Sequence, residues 1–219
     1  MATFGELKSR IAAKLDESYL TSQIEQTINS VIDFYEDEHF WFNTARPTIT
    51  LTSGDPIVPL PTDFLYEVDD GGLTINFSKT RFPIKKVSPL QFDSVNAEGT
   101  GIPYIYVVRA GTMEVYFIPD RDYDLEFFYV KSYPDLTLDG ESNDWTINAD
   151  RLIEAKSLSE IFLERRHSTG GNSLYETFLG KADQEFQKLV TLSTQRFATG
   201  DLTTENIIDR GDIYHGFYT

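Results

Sequence analysis

The chain has 219 residues, 40% apolar and 25% charged, an ordinary globular balance with room for one large domain or two small ones. It holds no cysteine, which excludes a disulfide framework, a thiolate zinc site and a cysteine nucleophile. Thirty-five acidic residues against nineteen Lys plus Arg leave a net charge of −16, so the body repels phosphates and a duplex-gripping role is disfavoured.

No apolar run approaches the roughly 18 residues that a membrane span needs. The opening Met1-Ala2-Thr3-Phe4-Gly5-Glu6 has no signal-peptide pattern, and the expectation is a protein made in the cytoplasm. Thr3 and Glu6 have capping-box spacing, and Phe4, Leu7, Ile11 and Leu15 follow at helical intervals. A polar joint, Asp16 to Thr21, breaks that helix. Ser22 and Glu25 suggest a second capping box, with Ile24, Ile28, Val31, Ile32 and Tyr35 as a second buried stripe. Two helices joined so briefly should pack as a hairpin.

Helical periodicity stops at Phe40-Trp41-Phe42-Asn43, and short strands divided by Gly, Pro, Asp and Asn take over. Strands are expected at Pro47–Leu51, Ile57–Leu60, Phe64–Val68, Leu73–Phe77, Phe82–Val87, Tyr104–Arg109, Met113–Ile118 and Leu125–Lys131. Ser88-Pro89 begins a single helical turn, Gly111 suits a hairpin turn, and Asp120–Asp124 reads as a second one. Helices return after Trp145. Asn148 is a candidate cap with Asp150 in the first turn, and Leu152, Ala155, Ser159 and Phe162 mark a narrow face. Ser173 and Glu176 suggest a third capping box. Phe178, Ala182, Phe186, Leu189 and Ser193 then carry a helix to about Phe197.

This pattern predicts an α+β fold. Residues 1–45 and 148–198 form a four-helix bundle from the two ends of the chain, and 46–147 are inserted as an antiparallel β-sandwich or open barrel. Residues 199–219 have neither period, yet carry Ile207, Ile208, Ile213, Tyr214, Phe217 and Tyr218. Such a segment either folds back on its own domain or orders on a partner, its aromatics filling pockets there.

Chemistry is hard to find. His39, His167 and His215 lie in different elements, and no His-Glu-x-x-His pair exists. Asp120, Asp122 and Asp124 imitate the start of a calcium loop. Leu125 stands where that loop needs glycine and Lys131 where it needs glutamate, so a charged turn is the better reading. Glu36, Asp37 and Glu38 diverge around a helix and cannot flank one glycosidic bond. Glu164-Arg165-Arg166-His167 ends a helix, where its cations complement the dipole. The nucleotide-cradling glycine loops and the Gly-x-Ser-x-Gly elbow are missing. No enzyme, cofactor or metal is expected. What stands out is aromatic content, sixteen Phe, twelve Tyr and two Trp, concentrated at Phe40-Trp41-Phe42, at Phe127-Phe128-Tyr129 and in the last twenty residues. The first of these clusters is the candidate inter-domain or subunit contact.

Ala2-Thr3-Phe4-Gly5-Glu6-Leu7-Lys8, Leu20-Thr21-Ser22-Gln23-Ile24, Phe40-Trp41-Phe42-Asn43 and Leu60-Pro61-Thr62-Asp63-Phe64-Leu65 occur in that order. Gly101-Ile102-Pro103-Tyr104, Ile118-Pro119-Asp120, Tyr129-Val130-Lys131 and Asn143-Asp144-Trp145 follow. In this order and spacing the chain resembles the head-to-tail adaptor, or connector, proteins of short-tailed bacteriophages. The resemblance implies a structural protein of the virion neck that forms a homo-oligomeric, typically dodecameric, ring between the portal protein and the tail nozzle. Tail fibres are a further neighbour to consider, and double-stranded DNA would pass through the channel without specific binding. It also implies that the C-terminal arm reaches the portal, which assigns Ile207, Ile208, Ile213, Tyr214, Phe217 and Tyr218 to portal docking. A peptidoglycan hydrolase carried in the virion and another tail ring, a nozzle or stopper, are the competing readings.

Overall fold

In the computed structural model the described residues are 2–15, 21–68, 72–77, 80–95, 99–164 and 171–201. The fold is α+β, and the chain divides into two compact units. One is built from described residues within Met1–Val31, Phe40–Phe42 and Leu136–Thr219, the other from Ile32–His39 and Asn43–Asp135.

The first unit is helical. Helix α1 (Phe4–Leu15) is capped as its sequence predicts: the Thr3 amide donates to Glu6 Oε2 at 3.0 Å and the Glu6 amide to Thr3 Oγ1 at 3.2 Å. It buries Phe4, Leu7, Ile11 and Leu15. Gly5 lies against Asp139, whose carbonyl accepts its amide at 3.0 Å. A Cβ at Gly5 would fall 2.8 Å from Asp139 Cβ, so this approach demands glycine. Helix α2 (Thr21–Glu36) starts one residue before the expected cap, which leaves Ser22 inside its first turn; Glu25 is drawn to Lys8 of α1 instead, at 2.6 Å. Asn29 of α2 exchanges two hydrogen bonds with the Leu136 backbone, at 3.0 and 3.1 Å.

The short helix α3 (Pro89–Asp93) belongs to the other unit. Next in the helical unit comes α4 (Asp144–Asn148), capped by Asn143; Asn148, the expected cap of the helix that follows, is instead the last residue of α4 and donates to the Asp144 carbonyl. Helix α5 (Asp150–Glu164) follows, then the long α6 (Gly171–Asp201). Because α6 already starts at Gly171, Ser173 is a helical residue and not its cap. Phe162 of α5 stacks on Phe178 of α6, with centroids 5.6 Å apart and planes within 6°.

The second unit holds thirteen short strands among the described residues. They are β1 (Thr44–Ala45), β2 (Thr48–Leu51), β3 (Ile57–Pro59), β4 (Phe64–Glu67), β5 (Leu73–Phe77), β6 (Thr80–Pro83) and β7 (Lys85–Lys86). After α3 come β8 (Thr100–Gly101), β9 (Ile105–Arg109), β10 (Thr112–Tyr116), β11 (Ile118–Pro119), β12 (Tyr123–Phe127) and β13 (Tyr129–Lys131). Two four-stranded sheets run in the orders β2-β12-β5-β6 and β3-β10-β9-β7; β1-β13-β4 and the pair β11-β8 complete the set. Leu51, Leu73, Ile75 and Leu125 of the first sheet share one core with Val58, Tyr106, Met113 and Val115 of the second. Along β12, Tyr123, Leu125 and Phe127 point inward while Asp124 and Glu126 do not. The β9–β10 turn takes positive φ at Ala110 and Gly111, +49° and +77°, the twist that closes a two-residue hairpin.

The sheet system departs from expectation in three ways. β7 pairs with β9, and β8 with β11, in parallel, so the region is mixed rather than purely antiparallel. The Asp120–Asp124 segment joins strands of different sheets and is a turn without being a hairpin. Three expected strands are also each two strands meeting at a single residue, Ile84, Phe117 or Phe128, where the chain leaves one sheet for another.

Candidate assembly surfaces

Phe40 and Phe42, singled out as a candidate contact cluster, lie in the helical core. They are 1% and 7% exposed, stack on each other at 5.3 Å, and meet Trp145 edge-on at 5.7 and 5.0 Å. Phe186 of α6 closes the group against Phe40 at 5.8 Å. Trp41 keeps partial exposure and lies under the Arg196 guanidinium, 4.3 Å from ring centroid to Cζ. Ile207, Ile208, Ile213, Tyr214, Phe217 and Tyr218 lie outside the described residues, as do His167 and His215. His39 packs edge-on to Phe128, with centroids 6.3 Å apart.

The turn that imitates a calcium loop is occupied by the protein itself. Asp120 accepts from Arg121 at 2.9 Å and from the Tyr123 hydroxyl, and Asp122 Oδ1 accepts the Ser53 amide at 2.8 Å. Burial, helped by Asp120, pushes the Tyr123 hydroxyl up to about 12. Among the described residues no cluster of three or more His, Asp or Glu side chains could hold a metal ion.

At the end of α2 the carboxylates behave as a group. Glu36 is buried and its Oε1 accepts the Tyr133 amide at 2.8 Å; Asp33, Asp37, Glu38 and Asp135 are exposed. Burial raises the pKa of Glu36, and the charges of Asp33, Asp37 and Asp135 raise it further. Asp33, exposed as a residue, is raised too, first by partial desolvation of its carboxyl and then by the charge of Asp135. No cation lies within ion-pair distance of Asp33, Asp37, Glu38 or Asp135 among the described residues.

A surface of opposite sign, which the sequence reading missed, lies in the helical unit between α1, α5 and α6. It is a groove of about 280 Å³ whose lining includes Arg10, Lys14, Arg151 and Lys181 with Glu154 and Glu185. These cations are far apart in sequence, so no run of basic residues signals them. Arg10 contacts both Asp150 and Glu154 at 2.9 Å, and Lys14 pairs with Glu154. Arg151 and Lys181 have no carboxylate partner among the described residues; Lys181 rests over the Phe178 ring, 4.9 Å from its centroid.

Exposed apolar side chains supply the remaining surface. Leu90 on α3 is 82% exposed, and Ile102 and Tyr104 are exposed beside an edge-on cluster of Tyr104, Tyr116 and Phe117. On α6, Leu174, Val190 and Leu192 are exposed as well. Such surfaces are what an assembly protein needs, and none of these features forms a catalytic constellation.

The family model described as SU10 adaptor protein matches residues 2–204, nearly the whole chain. The chain belongs to that family. It is therefore a phage adaptor, a structural component associated with the virion. Among curated proteins no match to the adaptor is found. None of its helices, among the described residues, is long and apolar enough to cross a membrane.

Proposed function

We propose that the adaptor closes into a homo-oligomeric, dodecameric ring that joins the portal protein to the tail nozzle and continues the DNA channel. The observation that carries this reading is the family match across residues 2–204. A head-to-tail contact repeated around an axis closes into a ring, which suits a joint between two rings. A strongly acidic lining would let DNA slide without being held, and a chain of net charge −16 has the carboxylates for such a lining. Residues 199–219 dock on the portal through Ile207, Ile208, Ile213, Tyr214, Phe217 and Tyr218, ordering as they bury apolar surface. The work of the protein is assembly, with no catalytic step and no cofactor.

The test mixes the full chain, and a version ending at Thr199, with portal rings from the same virion, followed by sedimentation and electron microscopy. Decoration by the full chain alone supports both the joint and the arm's role. Equal decoration by both versions removes the arm from the account and leaves the joint. If neither version decorates the portal, the proposal fails.

A further inference from the structure

The chain is acidic overall, yet in the groove between α1, α5 and α6 the lining includes four cations, Arg10, Lys14, Arg151 and Lys181, against the carboxylates Glu154 and Glu185. Arg10 and Lys14 are spent on Glu154, while Arg151 and Lys181 face solvent with no carboxylate partner among the described residues. The same chain carries the converse feature, exposed Asp33, Asp37, Glu38 and Asp135 with no cation at ion-pair distance. Two copies with a net charge of −16 each repel one another, so association needs a local patch of opposite sign to set its orientation. We propose that this cationic groove is a subunit contact, which receives the acidic end of α2 from a second copy, Asp33 and Asp37 facing Arg151 and Lys181.

A contact between two different surfaces of one chain is heterologous, and its repetition makes a ring when the rotation closes. The inference rests on the ring reading above and gives it a contact. The raised pKa values of Asp33 and Glu36, set first by desolvation and then by neighbouring carboxylates, agree with it, since a facing cation offsets the repulsive part. Duplex phosphate is the other anion that could enter the groove, but it would have to approach a strongly acidic body.

Charge exchange tests the contact in the full-length chain. The variant R151E/K181E makes both surfaces acidic, and D33K/D37K makes both basic. Each alone should assemble at least about tenfold more weakly than the wild type in sedimentation velocity, with and without portal rings. An equimolar mixture should recover assembly, because alternating copies then present opposite charges at every contact. All four positions are exposed, so no loss of thermal stability is expected; D33K/D37K, which removes two charges that crowd Glu36, should melt slightly higher at pH 7, and the milder R151Q/K181Q should show a graded loss of assembly. Single variants that assemble like the wild type, or a mixture that does not recover, overturn the contact and leave the ring intact. A wild type that never associates, even on portal rings, overturns the ring and the contact together. A swap that alters only retention of duplex DNA also overturns the contact.

Discussion

Glu36 and Glu126 are both largely buried carboxylates of the β-rich unit, and their surroundings drive them in opposite directions. Glu126 is bonded by Asn76 at 2.8 Å and flanked by Arg46 at 3.0 Å and Arg81 at 2.7 Å, which together hold its pKa below the ordinary value. Glu36 has one bond, from the Tyr133 amide, and three acidic neighbours, so burial and repulsion prevail and its pKa is raised. A carboxyl whose folded pKa lies above its unfolded one takes up protons on folding, so ionising it costs stability. That cost is full above the raised value and fades as pH falls towards the ordinary carboxyl range. Glu36→Gln keeps an oxygen for the Tyr133 amide and removes the charge. It should raise Tm at pH 7 by about 2–4 °C, a gain of about 1 kcal/mol. Near pH 4 the two proteins should melt together. An unchanged Tm at pH 7, or a gain that persists at pH 4, would remove the ionisation of Glu36 as a cost to stability.

Helix α5 shows how far an element can be read from its sequence. Its apolar residues mark a narrow stripe, yet Leu152, Ile153, Glu154, Ala155, Ser157, Leu158, Ser159 and Ile161 are all buried, covering most of its circumference. Polar residues can line such a helix when they are small or paired: Glu154 is neutralised by Arg10 and Lys14, and the Ser159 hydroxyl donates to the Lys156 carbonyl at 2.7 Å. Ser157 is fully buried and its hydroxyl has no partner among the described residues. Ser157→Ala should therefore stabilise the protein by about 1 kcal/mol in urea denaturation. Ser157→Leu should cost about 1–3 kcal/mol by overpacking. A loss from the alanine variant would mean that the hydroxyl has an acceptor after all. The stripes of α1 and α2 were legible because one face of each is exposed, and so was the Ser88 cap before Pro89, though not the box that Ser88 closes with Gln91. The strand ends near Ile84, Phe117 and Phe128 were not, because at each a single apolar residue separates the two strands and the hydrogen-bond partner changes with no loop between them. Ile84 shows this directly: its amide donates to Leu73 of one sheet at 3.0 Å, and the next amide, Lys85, to Tyr104 beside the other at 3.0 Å. The cationic groove was illegible for a related reason, since its residues meet only when α1, α5 and α6 pack.

At the scale of the molecule the insertion has the geometry of a separable body. The β-rich segment starts and ends on paired strands: β1 lies antiparallel to β13, with Thr44 opposite Val130, and the Lys131 amide donates to the Asn43 carbonyl at 2.9 Å. Its entry and exit are thus hydrogen-bonded to each other, and its core, from Leu51 to Tyr129, is drawn from within the segment. The end of α2 adds little to that core but contributes polar ties, the Tyr66 hydroxyl to the Asp37 carbonyl at 2.7 Å and Glu36 to the Tyr133 amide. A fragment of residues 43–135 should fold alone, giving a cooperative urea transition and dispersed amide resonances. A chain of about 90 residues buries a modest core, so its stability should be only a few kcal/mol. Extending it to begin at Ile32 should add about 1–2 kcal/mol by restoring the two ties. If the shorter fragment is unstructured and the longer one folds, the end of α2 is an integral strut of the unit. If neither folds, the helical unit is needed to hold the sheets in register, and the segment is one half of a single cooperative structure.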